Sequence, residues 1–189
     1  LLAEAKNRKT SELRACVLKR PRHQQIVETL NKLNVKINFI DDGDVAGALS
    51  VVGKEPKNDI YLGIGGGPEG VITAAALSCF GGQIQGRLVL DEEEASRAKK
   101  LGIIDLNKKY NLDEMIKGDV IFCASGVTNS DLVKGILVSD SKFVVNTLAL
   151  HKSQNIKKIV INTHKKWAQF LWVEKIGFQK NSILKISIF

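Results

Sequence analysis

Three short stretches of the chain combine residue types that can bind anions, hydroxyls or cations. Arg20 and Arg22 flank Pro21 in Lys19-Arg20-Pro21-Arg22-His23, and two guanidinium forks at that spacing can fork onto a phosphate. Read alone, the same run is equally an ordinary solvated basic loop. Asp41-Asp42-Gly43-Asp44 places three carboxylates within four residues. Such carboxylates can cap a following helix, bind a metal or accept hydrogen bonds from sugar hydroxyls. Capping is the simplest role for Asp44 and leaves Asp42 without one. Gly65-Gly66-Gly67-Pro68-Glu69-Gly70 is a glycine turn running into an apolar segment. Free amides at a helix start face outward and favour an anion, and Glu69 sets a carboxylate where a divalent cation could bridge carboxylate and phosphate. A tight connection whose glutamate is favoured by the helix dipole is the plainer alternative.

Each stretch follows a segment that reads as a strand. Ala15 to Leu18 is a short apolar strand before the arginines, and Pro21 starts a helix from Arg22 to Leu33 with Ile26, Val27, Leu30 and Leu33 on one face. Val35 to Ile40 alternates as a second strand, and a helix from Val45 to Val52 follows the aspartates. Ile60 to Ile64 reads as a buried strand, and the helix Glu69 to Cys79 ends at Gly81-Gly82. Further on, Gln83 to Leu90 is expected to be a strand, Asp91 to cap a helix reaching Lys100, and Leu112 to Ile116 to form a short helix. Val120 to Cys123 precedes the hydroxyl-rich Ala124-Ser125-Gly126-Val127-Thr128, and Gly135 to Val138, Phe143 to Leu150 and Ile156 to Asn162 suit a terminal meander. In an open parallel sheet all carboxyl ends share one edge, so the four loops would converge there. The expected fold is a layered α/β sandwich with a mainly parallel central sheet and C-terminal antiparallel strands. No linker marks a domain boundary before His164, after which the tail changes character, with both tryptophans in it, and suits a docking helix followed by a strand.

Composition narrows the partners. At 189 residues, 44% hydrophobic and 25% charged, the chain has a globular make-up with enough apolar residues for a core. No apolar run approaches the roughly 20 residues needed to cross a bilayer, so no membrane is expected. The net charge of +8 is spread rather than striped, which suits a solvated basic surface or anionic small molecules and not nucleic acid. Cys16, Cys79 and Cys123 are odd in number and set among apolar residues, as buried thiols of a reducing cytoplasm would be. The chain begins without methionine and without a signal-peptide pattern, and reads as a cytoplasmic fragment.

These motifs, in this order, resemble the class II fructose-1,6-bisphosphatases, bacterial-type sugar bisphosphatases of the lithium-sensitive phosphatase superfamily. Arg20 to His23 (RPRH), Asp41 to Asp44 (DDGD), Tyr61 to Leu77 (YLGIGGGPEGVITAAAL), Gly81 to Leu88 (GGQIQGRL) and Ser125 to Gly135 (SGVTNSDLVKG) carry the resemblance, which extends over Leu1 to His164. It implies a sugar-phosphatase-like fold and Mn²⁺- or Mg²⁺-dependent hydrolysis of the 1-phosphate of fructose 1,6-bisphosphate in gluconeogenesis. On that resemblance Glu69 is a metal ligand, and Arg20, Pro21, Arg22, Asp42, Gly43, Asp44 and Gly66 contact the substrate. The metal would polarise the leaving phosphate and lower the pKa of an attacking water. Gly67, Ser125 and Asn129-Ser130 depart from the usual residues without removing any of these contacts. Enzymes of that family are nearly twice as long. Residues 1–164 are therefore expected to be a C-terminal substrate-binding half and 165–189 a divergent tail. Such a half is inactive alone and is completed by a missing N-terminal half or within a homo-oligomer. A non-catalytic sugar-phosphate-binding or degenerate fragment is the alternative.

Overall fold

A computed structural model describes residues 1–165; the expected tail helix and strand lie outside the described residues. The chain divides into two compact units, Leu1–Gly118 and a second beginning at Asp119. Nothing in the local sequence announced that division.

The first unit is built on β1 (Arg14–Leu18), whose last four residues are all buried. A strand covered on both faces needs a continuous apolar run, which Ala-Cys-Val-Leu supplies. It pairs in parallel with β2 (Lys36–Ile40) on one side and β3 (Ile60–Tyr61) on the other, in register Ala15 to Ile37 and Ala15 to Ile60. Helix α2 (Gln24–Lys32) lays Ile26, Val27 and buried Leu30 onto a cluster of Leu13, Ala15, Val17 and Val35. Each such side chain removed from water contributes about 1.5–3 kcal/mol before entropy is subtracted. The other face receives α3 (Asp44–Leu49), where Gly47 lies against the Cys16, Ile40 and Tyr61 side chains. Against α3 packs α4 (Gly67–Phe80), apolar on nearly every side and closed by left-handed Gly81 as the sequence led us to expect.

Short α1 (Leu2–Ala5) precedes β1, and the chain from Lys6 to Arg14 is pinned to the start of β3 through Asp59. Its carboxylate meets Lys6 Nζ at 2.8 Å and Arg8 at 2.9 Å, and accepts the Arg14 amide at 2.8 Å. The unit finishes with β4 (Gln85–Arg87) and β5 (Lys109–Asn111), an antiparallel pair, with α5 (Glu92–Lys100) and α6 (Leu112–Met115). Asp91 caps α5 as expected, accepting the Glu94 amide at 2.8 Å.

The second unit is antiparallel. Here β6 (Ile121–Ser125), β7 (Leu137–Val138) and β9 (Ile156–Lys165) all pair with the ten-residue β8 (Lys142–His151). Parallel pairing is thus confined to three of the nine described strands, fewer than the mainly parallel sheet expected. Cys123 is exposed, not buried. Along β6 the pleat turns Phe122 inward, and the next residue must then point out.

Candidate functional site at the carboxyl edge of the parallel sheet

The three parallel strands end on one edge, and each delivers one of the reactive stretches. After β1 the chain makes a single tight helical turn at Pro21–His23, with Pro21 in its first position and Arg20 extended before it. The expected helix therefore begins at Gln24. Arg20 reaches across to the end of β2, donating to the Asp41 carbonyl at 2.7 Å and to the Lys19 carbonyl at 3.1 Å, with its other terminal nitrogen 3.7 Å from the Asp42 carboxylate. Arg22 turns the opposite way, and its Nε donates to the Ile64 carbonyl at 2.7 Å. That bond engages Nε.

At the end of β2, the cap of α3 is Gly43 and not Asp44. Gly43 adopts φ +82°, a left-handed conformation that an L side chain takes only at about 1–2 kcal/mol. Asp44 thereby becomes the first helical residue, where a carboxylate is favoured by the dipole. Its Oδ1 accepts the Val45 amide at 3.0 Å, and Asp42 Oδ1 accepts the Gly43 amide at 2.9 Å. The Asp44 Oδ2 lies toward Gly65 of the third loop, 3.5 Å from where a Cβ on that glycine would stand.

The third strand stops earlier than expected. Pairing ends at Tyr61, with one more bond from the Leu62 amide to the Cys16 carbonyl at 3.1 Å. Beyond it the backbone of Ile64 is taken up by the side chains of the first loop. The chain then passes Gly65 and enters α4 one residue before Pro68, with Gly66 as the helix cap. Glu69 folds back over Gly66, where any Cβ would overlap its carboxylate. A side chain at position 66 would displace the Glu69 carboxylate from this place. Arg20, Pro21, Arg22, Asp42, Gly43, Asp44, Gly66 and Glu69 thus lie on loops at one sheet edge.

Two side chains without an expected role of their own join them. His23, 1% exposed, lies between the first and third loops. Tyr61 is half-buried beside Gly63; burial pushes its phenol well above the ordinary pKa and the Asp44 carboxylate adds to the shift, so the hydroxyl remains a donor. A signal for His23 existed in its place within RPRH.

Among the described residues no three His, Cys, Asp or Glu side chains are grouped as a metal site. A hard divalent cation takes about six oxygen ligands or more, so Glu69 and its neighbours do not constitute a fitting site by themselves.

The fourth loop belongs to the second unit, where it follows a strand of the antiparallel sheet. Ser125 belongs to antiparallel β6, and its hydroxyl meets Thr147 of β8 at 2.8 Å as an ordinary cross-strand pair. The second unit also brings together Asp119, His151 and Ser153. Both His151 Nε2 and Ser153 Oγ meet the same oxygen, Asp119 Oδ2, at 2.7 and 2.6 Å. A nucleophilic relay needs the serine and the carboxylate on different imidazole nitrogens. The cluster instead ties the β8–β9 turn to the start of β6.

A protein-family model described as bacterial fructose-1,6-bisphosphatase, glpX-encoded, matches residues 1–164. The chain is 31% identical to a D-fructose 1,6-bisphosphatase class 2/sedoheptulose 1,7-bisphosphatase of Microcystis aeruginosa, over 90% of this chain and 50% of that protein. It is 32% identical to proteins of the same name from Trichodesmium erythraeum, over 87% of this chain and 52% of the relative, and from a Synechococcus, over 89% and 53%. The chain therefore spans about half the length of the curated relatives it matches.

Proposed function

This chain belongs to the bacterial, glpX-encoded fructose-1,6-bisphosphatase family, and from that premise we propose that it supplies the substrate-binding half of a cytoplasmic sugar bisphosphatase acting on the 1-phosphate of fructose 1,6-bisphosphate. The observation that carries this reading is the meeting of two arginines, two aspartates and a glycine-capped helix start on one sheet edge. The terminal nitrogens of Arg22, with the Arg20 terminal nitrogen that does not bond the Lys19 and Asp41 carbonyls, fork onto the phosphate that stays, a planar and permanently charged match for its oxygens. Pro21 fixes the turn that separates the two guanidinium groups. Asp42 and Asp44 are exposed or half-buried carboxylates whose remaining lone pairs accept sugar hydroxyls, and Gly43 holds the backbone between them in the turn that aims them. Gly66 lets the ligand approach the amides that open α4.

Glu69 is one ligand of a Mn²⁺ or Mg²⁺ ion whose other donors come from the rest of the assembled enzyme, contributed by a complementary half. Consistent with the single carboxylate, the chain alone binds substrate without turning it over.

Phosphate release from fructose 1,6-bisphosphate with Mn²⁺ or Mg²⁺ tests this reading, on the chain alone and after mixing with a separately produced complementary half from a relative. Activity is expected in the mixture only. Glu69→Ala in that mixture is expected to lower activity more than about 100-fold, since even outer-shell partners of a bound metal are worth about 10–100-fold. Undiminished activity of Glu69→Ala refutes its ligand role. Substrate binding with no activity in any mixture favours a second reading, a non-catalytic sugar-phosphate-binding protein, in keeping with the absence of a grouped metal site among the described residues.

A further inference from the structure

We propose that His23 is a positioning residue that latches the glycine loop after β3 onto the arginine loop after β1, setting the distance between the anion-binding guanidinium of Arg22 and the helix start at Gly66 and Glu69. The inference rests on the reading of this edge as the substrate site.

Between the Leu62 amide and the first turn of α4, the hydrogen bonds holding the loop among the described residues all converge on Ile64. Its amide donates to His23 Nε2 at 2.9 Å, and its carbonyl accepts Arg22 Nε at 2.7 Å. On the other side of the ring, His23 Nδ1 lies 2.7 Å from the Leu18 carbonyl. A carbonyl can only accept, so Nδ1 carries the proton and Nε2 offers its lone pair to Ile64. The 3.1 Å approach of Nε2 to the Ile64 carbonyl is then a neighbouring contact rather than a bond. The imidazole thus works as a rigid spacer between the last residue of β1 and Ile64, 41 residues beyond His23.

Two features give that spacer a bearing on ligand binding. Residues 63–69 are exposed, so packing does not fix them and the polar latch must. Ile64 is held by His23 through its amide and by Arg22 through its carbonyl, on the two peptide units that meet at its Cα, so loss of the latch displaces the guanidinium and the start of α4 together. Gly63 is the place where the ring fits: a Cβ there would stand 3.4 Å from His23 Cε1 and 3.3 Å from the Tyr61 hydroxyl.

The two amide replacements separate latching from filling space. His23→Gln can present an oxygen near the Nε2 position toward Ile64, whereas His23→Asn reaches only toward Leu18. Isothermal titration of fructose 1,6-bisphosphate into the intact chain, together with hydrogen exchange at the Ile64 amide and thermal melting, reads out the difference. Both variants are expected to melt at similarly lowered temperatures. Only His23→Asn is expected to weaken binding, by about tenfold, and to lose Ile64 amide protection while the β1 amides keep theirs. Equal binding by wild type and His23→Asn, or a His23→Gln as weak as His23→Asn, overturns the positioning role. A wild-type chain that fails to bind fructose 1,6-bisphosphate overturns the substrate reading itself, and with it the inference built on it; the exchange data separate that outcome from failure of the latch.

Discussion

The most consequential side chains of the first unit are polar groups whose partners lie far along the chain. Asp59 is the clearest structural case. Its side chain is 9% exposed and gathers Lys6, Arg8 and the Arg14 amide, so one carboxylate ties the N-terminal segment to β1 and β3. Burial is the largest single influence on its pKa and pushes it up, but the Lys6, Arg14 and Arg8 contacts together outweigh it and leave the pKa below the ordinary value. A carboxylate with a lowered folded pKa stabilises the fold fully above its unfolded pKa, about 3.9. That contribution is lost as pH falls through the folded value. Asp59→Asn is therefore expected to cost about 1–3 kcal/mol at neutral pH, the range for a buried group left imperfectly paired. It should also flatten the fall in stability as the pH drops below the unfolded carboxylate value of about 3.9. Denaturant unfolding of both proteins across that range checks both expectations; parallel pH profiles would show that Asp59 does not carry the acid sensitivity.

At the scale of elements, helix starts decide the geometry of the site. Both α3 and α4 begin at glycine caps, Gly43 and Gly66, which supply no side-chain cap. By contrast α5, away from that edge, has an Asp91–Glu94 capping box that consumes its own donors. Gly43→Ala should test the backbone requirement. It forces an L residue to φ +82° and is expected to lower stability by about 1–2 kcal/mol, seen as a lower midpoint of thermal unfolding. It should also weaken fructose 1,6-bisphosphate binding, because Asp42 and Asp44 turn with the cap. A variant as stable and as tight as wild type would show that the left-handed turn is dispensable.

For the whole molecule, the prominent feature is apolar surface on the antiparallel unit. Ile159, Val160 and Ile161 of β9 are 50%, 39% and 64% exposed, and Ile121, Leu137 and Val138 are also solvent-facing. Among the described residues β9 pairs with β8 alone, and a strand edge with exposed apolar residues is a pairing surface. On the proposed function, the rest of the assembled enzyme would cover it. An apolar fluorescent dye should bind the chain alone and be displaced when the complementary half of a relative is added, with a rise in melting temperature. Unchanged dye binding in an active mixture would place this surface outside the assembly.

The residue types of the site, their placement at strand ends and the resemblance to the sugar bisphosphatases were legible in the sequence, because those signals are local. Apolar runs mark strands, Pro21 and the glycines mark turns, and Asp91 marks a cap. The family match over residues 1–164 agrees with the motifs that suggested it. Other features depended on contacts between distant segments. The strand expected through Ile64 ends at Tyr61 because Ile64 bonds to His23 and Arg22 instead of a neighbouring strand. Asp44 yields the cap position to Gly43 because the turn needs a positive φ. Ser125 lies in an antiparallel strand because its partner is Thr147 and not the parallel sheet. Sequence alone determined which groups are available and roughly where the backbone turns. Only the tertiary structure decided which backbone amide or carbonyl each one satisfies, since that choice is made by whichever partner the fold brings within hydrogen-bonding distance.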